Sequence, residues 1–167
     1  ASWEVKNGKA VRLNPWLPEQ SVRFSQGVLD LPGKLEIGDK GKLDVSAIRG
    51  KWEGWQVQTL QRPMPGLERA LVIAGSDKRG TIYGVYEVSE QMGVSPWHWF
   101  ADVPPKQRKQ LYVSAGRHVL APSAVKYRGI FINDEGPALM TWARKKYGEL
   151  NHGMYTNVFE LILRCQG

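Results

Sequence analysis

Cysteine is almost absent from this 167-residue chain: Cys165 is the only one, so no disulfide can form within the chain and no cysteine cluster can hold a metal. Histidine is nearly as scarce. His98, His118 and His152 have neither HxxxH nor HxH spacing, and no metal site is expected from them. No apolar run approaches the ~18 residues of a membrane-spanning helix, and no membrane partner is expected. Polar low-complexity tracts are missing as well. At 42% apolar and 23% charged residues, the composition is that of a globular chain rather than a disordered one. An initiator methionine is lacking too. The sequence opens at Ala1, as expected for a processed product or an excised piece, in which a signal peptide is no longer visible.

What is present is positive charge and tryptophan. The net charge of +7 raises nucleic-acid binding as a possibility, but the basic residues are dispersed. The densest groups are Lys106-Gln107-Arg108-Lys109, after Pro104-Pro105, and Arg144-Lys145-Lys146 on an expected helix face. No helix-turn-helix, zinc-finger or RNP pattern accompanies them, so these read as solvated faces and no nucleic-acid partner is expected. A polyanionic substrate fits the charge equally well. Seven tryptophans is high for this length. The cluster Trp97-His98-Trp99-Phe100 is denser than packing demands, and flat aromatic faces suit sugar rings or partner surfaces as well as a core.

Punctuation by Gly, Pro and Asp divides the first 66 residues into short candidate strands, at Ala10–Leu13, Val22–Phe24 and Val28–Leu31, with Pro32-Gly33 as a turn. Trp55, Val57 and Thr59 alternate with Gln56 and Gln58 as a half-buried strand would. Pro63-Met64-Pro65-Gly66 reads as a loop, and Ala70–Ala74 is a continuous apolar strand. Ser76 or Asp77 is placed to cap a helix reaching about Met92 and stopped by Gly93, with Ile82, Val85, Tyr86 and Met92 on its buried stripe. Gly75, Gly80 and Gly84 match neither GxGxxG nor GxxxxGK[ST]; they read as a tight strand-to-helix turn, with Gly84 allowing close helix–sheet packing. Further strands are expected at Trp97–Phe100 and Leu111–Val113, and Ala121-Pro122-Ser123 is a linker.

The most informative stretch is Tyr127-Arg128-Gly129-Ile130-Phe131-Ile132-Asn133-Asp134-Glu135-Gly136-Pro137. Consecutive apolar residues 130–132 fit a strand covered on both faces. Pro137 fits the first position of a following helix, near 138–147 with Gly148 as its stop. An amide and two carboxylates at the end of a parallel strand stand where α/β enzymes place their chemistry. Asp134 has a plainer reading, as a cap of that next helix. A second helix, about 155–165, carries Val158, Phe159, Leu161, Ile162 and Leu163, and its apolar face must dock on something.

These segments together resemble glycoside hydrolase family 115, the xylan α-glucuronidases. The likeness is carried by Ala70–Ala74 running into Gly75-Ser76-Asp77-Lys78-Arg79-Gly80-Thr81-Ile82-Tyr83-Gly84, by Ser89-Glu90-Gln91 and by Gly93-Val94-Ser95-Pro96-Trp97. It continues through Ala101-Asp102-Val103-Pro104, Val125-Lys126-Tyr127-Arg128-Gly129-Ile130-Phe131-Ile132-Asn133-Asp134-Glu135, Phe159-Glu160-Leu161 and Leu163-Arg164. It is dense over 67–164 and loose before that. The resemblance implies an α/β fold: an N-terminal mixed α/β sandwich domain, 1–120, followed by the first β/α unit of a (β/α)8 catalytic barrel, 121–167. It implies inverting removal of α-1,2-linked glucuronic or 4-O-methylglucuronic acid from xylan, by one carboxylic acid that protonates the leaving oxygen and a second carboxylate that activates water. On this resemblance Asp134 is the catalytic candidate, with Asn133 and Glu135 beside the sugar and Glu90 directed to it from the N-terminal domain. No cofactor and no metal is implied. The partners it implies are glucuronoxylan or its oligosaccharides in the full-length enzyme, with full-length family members homodimeric, and the location is secreted or periplasmic.

The departure from the family lies at the end. Family members continue past Arg164 with a longer helix and an aromatic, Pro-containing second strand, whereas here Cys165-Gln166-Gly167 closes the sequence. A complete barrel takes about 250 residues. The expectation is therefore an N-terminal fragment of an α-glucuronidase with a truncated barrel, inactive alone. Two alternatives stay open: a non-catalytic carbohydrate-binding module acting through Trp97 and Trp99, and a basic interaction module.

Overall fold

A computed structural model describes residues 3–6, 9–12, 36–38, 41–120 and 122–167. In chain order the elements are β1 (Trp3–Lys6), β2 (Lys9–Arg12), β3 (Trp55–Met64), β4 (Leu67–Gly75), α1 (Lys78–Gln91), β5 (Arg117–Leu120), α2 (Ala138–Tyr147) and α3 (His152–Arg164). Helices and a small antiparallel sheet, ordered β4-β3-β5, make this an α/β chain. It forms two compact units. One comprises Ala1–Ser46, Gln58–Val72 and Gln107–Arg117; the other comprises Ala47–Val57, Ile73–Lys106 and His118–Gly167.

In the first unit β1 and β2 pair antiparallel, with Trp3 opposite Arg12 and Val5 opposite Ala10. The strand expected over Ala10–Leu13 is thus present over 10–12. Those expected at Val22–Phe24 and Val28–Leu31, and the Pro32-Gly33 turn, lie outside the described residues. β3 extends to Met64, further than the expected loop at 63–66 allows, because a two-residue turn at Pro65-Gly66 suffices. Gly66 has φ +76, a left-handed conformation glycine adopts without strain. Leu43, Leu60 and Met64 are buried. The Gly116 N–H donates to Thr59 Oγ1 at 2.8 Å, the Thr59 N–H donates back to the Gly116 carbonyl at 2.9 Å, and Arg117 pairs with Asp44 at 3.3 Å. The strand expected at Leu111–Val113 is absent: Tyr112 is 85% exposed and has no apolar surface to cover.

The second unit holds the helices. Asp77 is the N-cap of α1, its Oδ1 accepting the Gly80 N–H at 2.8 Å, and the helix closes at Met92 and Gly93 as its sequence predicts. The buried stripe is rotated from the expected one. Gly80, Tyr83, Gly84 and Val88 face inward, while Ile82 is 37% exposed. The glycines set this rotation. A Cβ at Gly84 would lie 2.7 Å from Ile73 Cγ2, and one at Gly80 would lie 2.4 Å from the Gly54 carbonyl oxygen. The helix therefore presents its bare backbone to the strands, and Trp55, Val57, Tyr83 and Val88 close over it with Ile73, Met92 and Leu163. A count of apolar side chains alone misplaces such a face.

A second cluster joins α2 and α3. Ala143, Met154 and Val158 are buried among Phe100, Ile132, Leu139, Trp142 and Ile162. α2 occupies its expected span and stops at Gly148, φ +83, whose N–H donates to the Arg144 carbonyl. α3 starts three residues earlier than expected because Asn151 caps it, accepting the Met154 N–H at 3.1 Å. The apolar face of α3 docks on α1 and α2, so Val158 is buried and only Phe159, 61% exposed, is left outside. Burying a valine or methionine side chain contributes about 1.5–3 kcal/mol, which is why this helix pair holds.

Two expected strands are absent here. Ser95–Ala101 is a run of tight turns, with the His98 N–H on the Ser95 carbonyl and the Phe100 N–H on that of Trp97; Ser95 Oγ accepts the Trp97 N–H and begins the turn. Residues 127–132, expected as the first barrel strand, carry no strand pairing. Only Ile132 packs inward, and Phe131 is 92% exposed. A central strand exists through its neighbours' hydrogen bonds, and among the described residues no strand lies beside it.

Gly80→Ala is expected to lower stability by about 1–3 kcal/mol, because its Cβ meets backbone that cannot swing aside. Gly129→Ala, with nothing within 4 Å of the added atom, is expected to stay within about 0.5 kcal/mol of the parent. Urea unfolding followed by fluorescence measures both.

Candidate functional site

The candidate carboxylate, Asp134, depends on how the segment before it is held. Arg128 does this from six residues upstream. Its Nη2 pairs with Glu53 Oε2 at 2.7 Å, its Nε donates to the Gln166 carbonyl at 2.6 Å, and its Nη1 donates to the Val125 carbonyl. Glu53 is the hub. Its side chain is 2% exposed, Arg79 Nε lies 2.7 Å from Oε1, and the Tyr83 hydroxyl lies 3.4 Å from the same oxygen. The backbone of Glu53 sits at φ +51, a left-handed conformation uncommon outside glycine. Its N–H is fixed by Asp77 Oδ2 at 2.9 Å, so Asp77 binds Glu53 with one oxygen and caps α1 with the other. Arg79 Nη2 in turn donates to Tyr83 Oη and to the Gly167 carbonyl, each at 2.6 Å.

A buried carboxylate is tolerated only with such partners, and removing one side of a buried pair costs about 3–5 kcal/mol. Glu53→Gln is therefore expected to destabilise the chain by about 3 kcal/mol, at the low end because Arg79, 47% exposed, can return to water. Thermal and urea unfolding check this. A loss within about 0.5 kcal/mol would show that the hub does not carry the segment.

Beyond Ile132 the segment turns outward. Asn133 Oδ1 accepts the Glu135 N–H at 3.1 Å, an Asx turn that presents the residue between them. Asp134 is exposed, and its Oδ2 accepts the Tyr155 hydroxyl of α3 at 2.9 Å. It does not cap α2. The N-cap there is Pro137, one residue before the position expected for it, and no side chain bonds to the helix start. Glu135 is exposed beside Asp134. Glu90 stands apart, exposed in the last turn of α1, where its charge acts on Cys165; burial and that charge together push the Cys165 thiol up. Among the described residues no hydrogen bond or ion pair joins Glu90 to residues 133–135, and no group of three or more His, Cys, Asp or Glu could hold a metal. No helix among them is long and apolar enough to cross a membrane.

The hydrogen bond to Asp134 holds the Tyr155 phenol above its usual value of about 10, with a further rise from burial and from the carboxylate's charge. A raised phenol favours the folded state below the unfolded pKa and loses that contribution as pH rises through the folded one. Asp134→Asn is expected to bring the Tyr155 titration back toward about 10, as read by NMR of the ring carbons. An unchanged titration would mean that the pair does not form in solution.

Two of these partners are not signalled in the sequence. Glu53 lies in Lys51-Trp52-Glu53-Gly54, a surface-like stretch with no motif. Tyr155 has the weaker signal of standing one helical turn from Phe159, their rings 6.4 Å apart. Residues 121–167 match the family model described as Glycosyl hydrolase family 115. The family 115 match covers Arg128, the Asn133-Asp134-Glu135 turn and Tyr155, so the segment anchored on Glu53 is the one the family shares. No curated protein matches the chain.

Proposed function

We propose that this chain supplies part of the active site of a family 115 glycoside hydrolase that releases glucuronic or 4-O-methylglucuronic acid from xylan. The observation that carries this reading is Asp134: it lies within the matched segment, faces solvent, and is held by a side chain rather than consumed as a helix cap. Asp134 is the catalytic carboxylate in this reading. Asn133 and Glu135 flank the sugar, and Glu90 is a weaker contact because nothing brings it to Asp134. Residues from about 121 onward open the catalytic barrel, with 1–120 as the preceding domain. Glucuronoxylan or its oligosaccharides are the substrate, in a secreted or periplasmic setting, with a second copy as partner.

The chemistry follows from charge and geometry. Inversion needs an acid on the leaving oxygen and a carboxylate across the ring, about 6.5–9.5 Å apart, with water between. Asp134 provides one fixed carboxylate, oriented by Tyr155. Among the described residues no bond or ion pair brings a second carboxylate across from it, and residues 1–167 alone are expected to release no glucuronic acid from glucuronoxylan.

In a longer protein carrying this sequence, Asp134→Asn is expected to lower turnover by about 10²–10⁴-fold. Glu68→Gln and Glu149→Gln are expected to leave turnover unchanged and stability within about 0.5 kcal/mol. Glu68 is exposed in β4 and pairs with exposed Arg62, and Glu149 is exposed after α2. Melting temperature and turnover are measured together. Lost stability with unchanged turnover per folded molecule would make Asp134 structural and overturn the reading.

A further inference from the structure

Trp99 is 40% exposed, yet its orientation is fixed by a chain of bonds that solvent-exposed packing does not require. Its indole Nε1–H donates to Glu160 Oε2 at 2.9 Å. The other oxygen of Glu160 accepts Arg164 Nε at 2.8 Å, and Arg164 Nη1 donates to Ser89 Oγ at 3.1 Å. The guanidinium lies 4.5 Å from the centre of the Tyr86 ring. Arg164 and Glu160 are 10% and 23% exposed, so the lock is built from inner side chains of α1 and α3. Burial pushes the Glu160 carboxyl up, and the bonds from Trp99 and Arg164 more than offset it, keeping it ionised below the usual carboxylate range.

The polar edge of Trp99 is thus turned inward, and its outward surface is aromatic. His98 packs on it at 4.5 Å between ring centres, itself held through Nδ1 on the Ser95 carbonyl at 3.0 Å. Trp97, two residues earlier in the same turns, is 49% exposed. Charged groups next to these turns are paired: Glu160 with Arg164, and Asp102 with Lys146 at 3.6 Å. Exposed aromatic faces, one of them held in place, beside charges that are already paired suit a neutral ligand with a flat C–H face and hydroxyls at its rim. They do not suit a phosphate chain, which needs unpaired cations, or a free carboxylate.

We propose that Trp97 and Trp99 form a binding platform for the neutral pyranose backbone of a polysaccharide, a site that does not use Asp134. Fixing the Trp99 ring in advance lowers the ordering cost of binding, which is the return on a lock of this kind. The site goes beyond the hydrolase reading, which contributes only the choice of probe, an unbranched xylo-oligosaccharide.

The test is titration of the 167-residue chain with xylohexaose, read by the indole N–H resonances of Trp97 and Trp99 and by isothermal calorimetry. Both resonances are expected to shift with one saturation curve, and Trp97→Ala and Trp99→Ala are each expected to weaken binding by about tenfold or more. Glu160→Ala, which frees the Trp99 ring without removing it, is expected to weaken binding several-fold. The shifts in the parent chain need no variant, so a poorly folded mutant does not blunt the test. No shift at about 10 mM sugar overturns the proposal, as does tighter binding of an oligothymidylate at the same resonances. Binding abolished by Asp134→Asn would place the probe at Asp134 and also overturn it. Normal binding with no hydrolytic role for Asp134 would leave the platform standing while the hydrolase reading falls.

Discussion

One buried carboxylate organises the unit that carries the helices. Glu53 carries a negative charge into a site where water cannot reach it, and the two guanidiniums it gathers come from distant stretches of sequence, Arg79 on α1 and Arg128 on the segment that ends in Asp134. Such a group is more useful for specificity than for stability. Hydrophobic substitutes of similar volume are often as stable as a buried ion pair, but they carry no direction. Two charged forks on one carboxylate fix both angle and distance. The left-handed backbone at Glu53 and the double use of Asp77 show how far the local chain bends to bring that carboxylate into place.

The same logic recurs at the aromatic turns with the roles reversed. There the ion pair of Glu160 and Arg164 lies within one helix, a turn apart, and the group it fixes is neutral. In both places an arginine reaches across elements, to the Gln166 carbonyl in one case and to Ser89 in the other. Arginine suits this work because its planar fork binds several acceptors at once without deprotonating.

Local signals made the helices legible. Asp77, Gly93 and Gly148 mark ends that depend on a single side chain or a single left-handed residue, and the structure places them as read. The apolar runs were less faithful. Residues 70–74 form a strand because β3 lies alongside, whereas residues 130–132, just as apolar, have no such neighbour. Strand formation is a property of the pair, and a single segment carries only half the information. The rotated face of α1 has a related cause, since glycine contributes contact through what it lacks. At the candidate site, Asp134 and its flanking residues stand out in sequence because three polar groups interrupt an apolar run. Glu53 and Tyr155 do not, because their partners arrive from 21 to 75 positions away in the chain, through folding alone.

The run 127–132 has a practical consequence. It is held at one end by Arg128 and at the other by Ile132, and Tyr127 and Phe131 stand in water at 82% and 92% exposure. Large apolar side chains left in water promote association with whatever surface can cover them. High protein concentration therefore favours self-association through these two rings.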